Sequence, residues 1–284
     1  MRVREGKLVV NVQVSAPLPA QNSSLVIVGA HRFGKDNNDP LFASVNRLQW
    51  SAVLLIEASP VIADQLHTQF SLSKKLLPRV PRGNITVVGE GVCPDGAGDG
   101  TKRPFYSVEP IAGLPDWSSM IGSFDREHVL KHASWLLQGA DPRFNWSYTA
   151  RNLIRIKRSI KRTVVVCRSL GAMLQRQSTL QPSVLLIDAE GLDCKIVASV
   201  DWCVIQPRLI VFERLHCWPH EFLRAQQRLR GVGLACKSPR WRLIAQTDDN
   251  VFFRIATDER DQADLLPLDE RPSVQRRDSA SQLR

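Results

Sequence analysis

The chain has 284 residues, of which 43% are hydrophobic and 23% are charged, and its formal net charge is +10. This length and composition are typical of a globular protein with a substantial core, and they exclude a fibrous or largely disordered chain. Every apolar run is shorter than a membrane span, and "MRVREGKLVVNVQVS" at the N-terminus is too interrupted for a signal peptide, which predicts no membrane association.

The first half of the chain alternates between strand and helix patterns. Residues 1–23 are predicted to form an N-terminal arm because polar residues and prolines follow its short apolar stretch. Buried strands are predicted for "LVIVG", "AVLLIE" and "NITVVGEGV", and an extended segment for "RPFYSVE". One helix is predicted over 40–48, and a second begins after Ser59 and Pro60, which suit an N-cap and a first helical residue.

The second half continues the alternation. "TVVVC", "VLLID" and "LIVFE" are apolar runs that precede predicted helices, and "GLACK", "WRLIA" and "NVFFRI" predict closing strands that include an antiparallel pair. Together these patterns predict an α/β fold over 24–257, with a doubly wound, mostly parallel sheet covered by helices. Residues 258–284 are charged and poor in aromatics, which predicts a disordered C-terminal tail.

Residues 115–160 interrupt this alternation and are predicted to be an inserted helical segment. "SFDREHVLKHASWLLQG" predicts a helix with Asp125 as its N-cap. Such an insertion lies either over the carboxyl ends of the strands, as a lid, or against the edge of the sheet. The sequence leaves both arrangements open.

A strongly basic stretch follows within "ARNLIRIKRSIKR". It favours a solvated helix face or linker, with a nucleic-acid footprint as the alternative. Few aromatic residues are interspersed with the charges, so a stacking platform for single strands is not supported. The basic residues are Arg151, Arg155, Lys157, Arg158, Lys161 and Arg162.

The cysteines are dispersed and form no C-x-x-C pair, which favours reduced thiols in an intracellular, cytoplasmic location over a disulfide framework. "RLHCWPH" contains His216, Cys217 and His220. Their spacing matches no closed set of zinc ligands, so no metal is predicted. The six cysteines are Cys93, Cys167, Cys194, Cys203, Cys217 and Cys236.

The residues that follow each predicted strand are candidates for a binding site, because open parallel sheets bind ligands outside the carboxyl ends of their strands. Small residues after the first strand permit close approach of a ligand, and an acidic residue after the second can accept hydrogen bonds from ribose hydroxyls. The candidates are Gly29, Ala30, His31, Gly34, Glu57, Ala58, Glu90, Gly91, Val92, Asp188, Glu190, Glu213 and His216.

Known nucleotide and hydrolase motifs are missing from the sequence. The first loop reads G-A-H-R-F-G, without G-x-G-x-x-G, and there is neither a P-loop nor a G-x-S-x-G elbow. A carboxylate at a strand end can also cap the following helix. Several such carboxylates facing one crevice favour a nucleoside-containing cofactor.

Five segments carry a resemblance to a known family: "VIVGAHRFGKDNNDPLF", "AVLLIEASP", "IGSFDREHVLKHA", "LLIDAEGLDCKIV" and "PRLIVFE". In order and spacing the chain resembles FkbM-type methyltransferases over about Leu25 to Ile255. The resemblance implies a Rossmann-like methyltransferase sheet and S-adenosylmethionine as the cofactor.

The resemblance also implies roles for the candidates. Gly29, Ala30, His31 and Gly34 would border the methionine part of the cofactor. Glu57, followed by Ala58, would hold the ribose, and Glu90, Gly91 and Val92 would lie by the adenine. Asp188 and Glu190 would line the reaction centre. The first loop departs from the family pattern, because His31 and Arg32 stand where Asn-Asp-Gly is common.

The predicted function is O-methylation of a hydroxyl on a small molecule or sugar. Asp188 or Glu190 is the predicted acceptor-binding base, and His216 is a further candidate. One alternative is a non-catalytic interaction protein with a methyltransferase fold. The other is a nucleic-acid methyltransferase that uses the basic 151–162 segment, although the D-A-E-G after the predicted strand is unlike the motif of enzymes that methylate base amines.

Overall fold

A computed structural model describes residues 23–31, 50–72, 84–94, 99–138, 140–145, 147, 149–178, 181–231, 241–246 and 250–255. Several sequence predictions lie outside these residues: the arm up to residue 22, the helix over 40–48, the "GLACK" strand, the tail over 258–284, and the site candidate Gly34.

The centre of the fold is a seven-stranded, mostly parallel sheet in a mixed α/β arrangement. Its strands in chain order are β1 (Ser24–Val28), β2 (Ala52–Ile56), β3 (Ile85–Val88), β8 (Val184–Ile187), β9 (Leu209–Glu213), β10 (Trp241–Gln246) and β11 (Asn250–Ile255). Their spatial order is β10-β11-β9-β8-β1-β2-β3. The predicted antiparallel closing pair is confirmed, since β10 pairs with β11 and β11 pairs antiparallel with β9.

Helices cover both faces of this sheet, because successive residues of a strand point to opposite faces. Leu25 and Ile27 of β1 pack in one cluster with Ile62 and Leu66. The alternate positions of β1 pack in a second cluster with the helices of the other face. The helices are α1 (Pro60–Leu72), α2 (Arg126–Gln138), α3 (Ala150–Ser159), α4 (Leu170–Arg176), α5 (Asp193–Ser199) and α6 (Pro219–Leu229).

A second, four-stranded sheet corrects one prediction. The "TVVVC" segment was expected to join the parallel sheet, but it belongs to β7 (Ile160–Arg168), which pairs antiparallel with β5 (Thr101–Val108). The strands β4 (Gly91–Val92) and β6 (Gly122–Ser123) complete this sheet. An apolar run favours strand structure but does not specify the partner strand, and the nine-residue β7 pairs with a strand that lies far earlier in the chain.

The inserted segment consists of two 3₁₀ turns (Asp116–Met120 and Pro142–Phe144), β6, α2 and α3. Asp125 precedes α2 and accepts a hydrogen bond from the amide of Glu127 through Oδ1 at 2.9 Å. Val129 and Leu136 of α2 pack with Ile156 of α3 in a core of their own. On α3, Asn152, Ile156 and Ser159 are buried, whereas Ile154 and the basic residues are exposed.

The cysteine prediction was wrong. Cys93 is bonded to Cys167 and Cys194 to Cys217, with Cα–Cα distances of 5.6 and 5.9 Å. Cys203 is also disulfide-bonded. The pairs are 74 and 23 residues apart in the chain, so no local spacing identifies them. The cytoplasmic location was predicted from reduced thiols. Because disulfides persist mainly in oxidising compartments, the cysteines no longer support that prediction.

Peptide mapping of the unreduced protein is expected to recover the Cys93–Cys167 and Cys194–Cys217 cross-links. The double variant Cys194→Ser/Cys217→Ser is expected to lose about 3 kcal/mol of unfolding free energy, since the bond closes a loop of 23 residues. Urea denaturation measures this loss. Alkylation of Cys194 in unreduced, denatured protein would contradict the pairing.

Among the helices that the structure describes, none combines the length and the apolar character that a membrane span requires.

Candidate active site

A crevice opens at the carboxyl ends of β1, β2 and β8, where the chain order of the sheet reverses direction. Its floor comes from the residues that end these strands, and its other wall comes from the second sheet and the inserted segment. The lining residues are Val28, Gly29, His31, Ile56, Glu57, Ala58, Ser59, Ile62, Glu90, Val92, Phe105, Ser119, Met120, Gly122, Phe124, Asp188, Ala189, Glu190 and Leu192.

The first loop is held tightly against β2. The amides of Gly29 and Ala30 both donate to the carbonyl oxygen of Ile56, at 2.9 and 3.2 Å. Gly29 has a φ of +76° and His31 a φ of +45°, and the left-handed region is costly for a non-glycine residue. A loop with this backbone brings the His31 side chain into the crevice.

Glu57 is the anchor of this loop. Its side chain is 4% exposed. One carboxylate oxygen accepts from the amide of His31 at 2.9 Å, and the other accepts from the amide of Ser59 at 2.7 Å. Two carboxylate oxygens offer about four lone-pair sites, so each oxygen can accept a further hydrogen bond from a ligand. Glu57 therefore both shapes the loop and offers acceptors to the crevice.

The turn after β8 positions the second acidic group. Glu190 has a φ of +47° and Gly191 a φ of +91°. The buried carboxylate of Asp193 accepts from the amides of Ala189 at 2.8 Å and Gly191 at 3.2 Å. On the other side, the Ser123 hydroxyl donates to the carbonyl of Glu190 at 3.1 Å. These bonds fix a strained turn so that Asp188 and Glu190 both line the crevice.

The electrostatic character of the crevice is acidic around one imidazole. Burial lowers the pKa of His31, but the charges of Asp188, Glu57, Glu190 and Asp193 outweigh it, so the net pKa is raised. The carboxylates also lie close to one another. At Asp193, burial is the larger cause and the charge of Asp188 the next, and together they raise the pKa to about 8. The crevice therefore favours a positively charged group.

The pKa of Glu190 moves in the opposite direction. Burial raises this pKa, but the imidazoles of His128, His31 and His216 lower it by a larger amount. The net pKa therefore lies below the ordinary range. The His128 Nε2 atom lies 3.6 Å from Oε2 of Glu190. At neutral pH Glu190 is therefore a carboxylate that can bind or orient a ligand.

The segment predicted to lie by the adenine, Glu90 to Val92, makes two kinds of contact. The Glu90 carboxylate pairs with the Arg168 guanidinium at 2.7 Å and with that of Arg176 at 3.3 Å. Gly91 lies beneath the Phe124 ring, which occupies the space that a side chain at this position would need. Phe124 in turn packs edge-on against Phe105 with ring centroids 5.3 Å apart.

The structure therefore brings most of the predicted residues together, but not all. Gly29, His31, Glu57, Ala58, Glu90, Val92, Asp188 and Glu190 line the crevice. Ala30 is buried in the core behind it, and Gly91 is covered by Phe124. His216 is not among the lining residues; it packs against two other histidines, His128 and His132.

Sequence reasoning missed the wall formed by Ser119, Met120 and Phe124, and it missed Asp193 behind the β8 turn. The "IGSFDREHVLKHA" motif contains Phe124 and was a usable signal. Asp193 stands in the "LDC" that follows the carboxylate motif, but only the folded turn shows its two backbone hydrogen bonds.

Comparison with known proteins identifies the family. The model of the methyltransferase FkbM domain matches residues 28–233, which is more than half of the chain. The chain belongs to the methyltransferase FkbM family. No curated protein matches it.

Among solved structures, it is similar to a crystal structure of methyltransferase FkbM from Methylobacillus flagellatus KT, at 12% identity and a TM-score of 0.40. The match covers 82% of this chain and 43% of that one, so the matched region spans less than half the length of the other protein.

The crevice of this FkbM domain offers a ligand both hydrogen-bond acceptors and apolar walls. The buried Glu57 offers free acceptor positions, and Ile56, Ile62 and Val92 supply apolar walls. The enclosed volume is about 40 Å³, against about 300 Å³ or more for sites of drug-sized ligands. Binding of a nucleoside in the FkbM domain therefore requires lining side chains such as Phe124 to move.

Proposed function

We propose that the chain is an S-adenosylmethionine-dependent O-methyltransferase that acts on a hydroxyl of a small molecule or carbohydrate. The observation that carries this proposal is the buried Glu57 at the end of β2, facing Asp188 and Glu190 across one crevice. The strand order and the helices on both faces of the sheet support a doubly wound, Rossmann-like assignment.

The proposed cofactor site uses three parts of the crevice. Glu57 accepts hydrogen bonds from the ribose hydroxyls, as a charged acceptor in a site of low dielectric. The backbone of Gly29 permits close approach of the amino-acid end, and Val92 with Phe124 forms the apolar surface for the base. When bound, the cofactor supplies a methyl group on a positively charged sulfur.

The acidic lining supports a cationic ligand. Asp188, Glu190 and Glu57 offer negative charge in a partly buried crevice, where Coulomb attraction is less screened than in water. The same charges raise the pKa of the His31 imidazole. In our proposal His31 moves aside when the cofactor enters, which also widens the crevice.

The acceptor hydroxyl is proposed to bind at Asp188 and Glu190. Asp188 lies at the end of the fully buried β8, with its amide donating to the carbonyl of Val28 at 2.9 Å. Its backbone is therefore fixed, and its carboxylate takes the acceptor proton. Because the pKa of Glu190 is lowered, Glu190 is proposed to orient the acceptor rather than to take its proton.

Labelled methyl transfer tests this proposal. The protein is incubated with S-adenosylmethionine carrying a labelled methyl group and a panel of monosaccharides, small alcohols and phenols. Asp188→Asn is expected to lower turnover about 100-fold or more, while cofactor affinity changes little. The matched control is Asp64→Asn, at an exposed position of α1.

Three results would contradict it. Full turnover by Asp188→Asn would remove this residue from catalysis. Failure of the wild-type protein to bind S-adenosylmethionine would favour the non-catalytic alternative. Label transfer only to nucleic acid would favour the alternative that uses the basic 151–162 segment.

A further inference from the structure

Beside the crevice, three histidines from two separate parts of the chain form a cluster. His128 and His132 lie on α2, and His216 lies just after β9. Their ring centroids are 4.4 Å apart for His128–His132, 4.8 Å for His128–His216 and 4.4 Å for His132–His216. One ligand nitrogen from each residue lies within 4.8 Å of the other two.

The fold holds these three residues in place independently. Residues four apart on a helix lie on the same face, so α2 presents His128 and His132 together while the neighbouring Val129 is buried in the insertion core. His216 is fixed from the other side, because the adjacent Cys217 is disulfide-bonded to Cys194 at the start of α5. The cluster is therefore assembled by tertiary structure before any ligand binds.

The cluster contains buried polar atoms with no hydrogen-bond partner among the described residues. They are the two ring nitrogens of His132. His132 is 3% exposed. A buried polar atom without a partner destabilises the folded state, and native proteins rarely leave one unsatisfied. A ligand that interacts with imidazole nitrogens would remove this cost.

The charge state of the cluster suits a cation. A neutral imidazole has a lone pair on one ring nitrogen, which can bind a metal ion. Two carboxylates flank the cluster. Oε2 of Glu190 lies 3.6 Å from Nε2 of His128, and Oε2 of Glu213 lies 3.8 Å from Nε2 of His216. Carboxylates in such positions orient imidazole ligands and offset the charge of an ion.

We propose that His128, His132 and His216 bind a divalent transition-metal ion, with zinc as the best match. Three imidazoles and an open position are the ligand set of catalytic zinc sites, whereas Mg²⁺ and Ca²⁺ require oxygen ligands. Small rotations of the rings bring the nitrogens to one ion. Glu190 also lines the crevice, so the ion would lie next to the acceptor hydroxyl. This position relative to the acceptor rests on the proposed function, whereas metal binding itself does not.

The test is metal binding by the full chain without a histidine tag, after removal of metal by a chelator and in the absence of reductant. Titration calorimetry with Zn²⁺ is expected to give about one ion per chain. Losing a direct ligand costs more than the 10–100-fold typical of outer-shell groups, so His132→Gln and His216→Gln are each expected to weaken binding about 100-fold or more. His220→Gln, at an exposed position four residues after His216, is the matched control and should bind as wild type does.

A second readout reports the geometry of the site. The Trp135 ring lies 4.2 Å from that of His132 and 6.0 Å from that of His216. Co²⁺ is therefore expected to quench tryptophan fluorescence and to show the visible absorption of a tetrahedral ion. In Trp135→Phe the fluorescence quenching should fall while the visible absorption is kept. In His132→Gln both signals should fall.

Folding controls keep the result decisive. Zinc should raise the melting temperature of the wild type and of His220→Gln, but not that of His132→Gln or His216→Gln. If His132→Gln does not fold, His216→Gln, which lies outside any helix, gives the same comparison. Equal zinc affinity in His216→Gln and His220→Gln, or no binding by the wild type, would overturn the proposal. Glu57→Gln should bind zinc normally, so failure of the cofactor site is distinguishable from failure of the metal site.

Discussion

Alanine at position 29 is expected to prevent stable folding. Gly29 has a φ of +76°, and a Cβ atom there would lie 1.6 Å from the carbonyl oxygen of Asp188. The obstacle is backbone, which cannot rotate away. Relief requires β1 and β8 to separate where the amide of Asp188 donates to the carbonyl of Val28 at 2.9 Å. We expect Gly29→Ala to lose more than about 4 kcal/mol of unfolding free energy.

Urea denaturation followed by circular dichroism measures this loss. Gly171→Ala is the matched control, because Gly171 lies in α4 and its added Cβ would only contact the Ile205 side chain at 3.8 Å. Alanine in a helix gains about 0.5–1 kcal/mol over glycine, so this variant should be slightly more stable. If Gly29→Ala had the wild-type urea midpoint, Gly29 would not be packed against the carbonyl oxygen of Asp188 as described.

Replacing Glu57 with glutamine is expected to weaken binding of S-adenosylmethionine about 10–100-fold. The substitution keeps the size of the side chain but removes the charge, and a hydrogen bond to a charged group is worth about 1.5–3 kcal/mol. One of the two amides, of His31 or Ser59, also loses its acceptor. The first loop of the crevice is therefore loosened as well.

Calorimetric titration with S-adenosylmethionine measures this effect, at a temperature where both proteins are folded. Glu109→Gln is a suitable control because Glu109 is a half-exposed residue that pairs with Lys161 at 3.1 Å. Its affinity for the cofactor should equal that of the wild type. Unchanged affinity in Glu57→Gln would exclude Glu57 from the cofactor site.

Local patterns predicted the strands and the polar residues that end them. "AVLLIE" corresponds to β2 followed by Glu57, and "LIVFE" is β9 itself. Such patterns are reliable because burial on both faces requires consecutive apolar residues, and the residue after the last one meets the edge of the sheet. Local capping follows the same logic, since Ser169 stands directly before α4 and its hydroxyl accepts from the amide of Ala172 at 3.2 Å.

Partners distant in the chain could not be predicted in this way. "TVVVC" reads as a buried strand, but its partner is β5 in the second sheet. Nothing around Cys93 indicates that it meets Cys167, and the "RLHCWPH" segment contains only one of the three clustered histidines, His216. Sequence spacing fixes which residues share a helix face, but not which elements pack together.

The sequence by itself determined the alternation of strands and helices, the carboxylates at the strand ends and the resemblance to the FkbM family, because each depends on residues that are close in the chain. Only the tertiary structure decided the disulfide pairs, the narrow crevice beneath Phe124 and the histidine cluster. These features depend on the distances between elements, which are set by packing of the whole core.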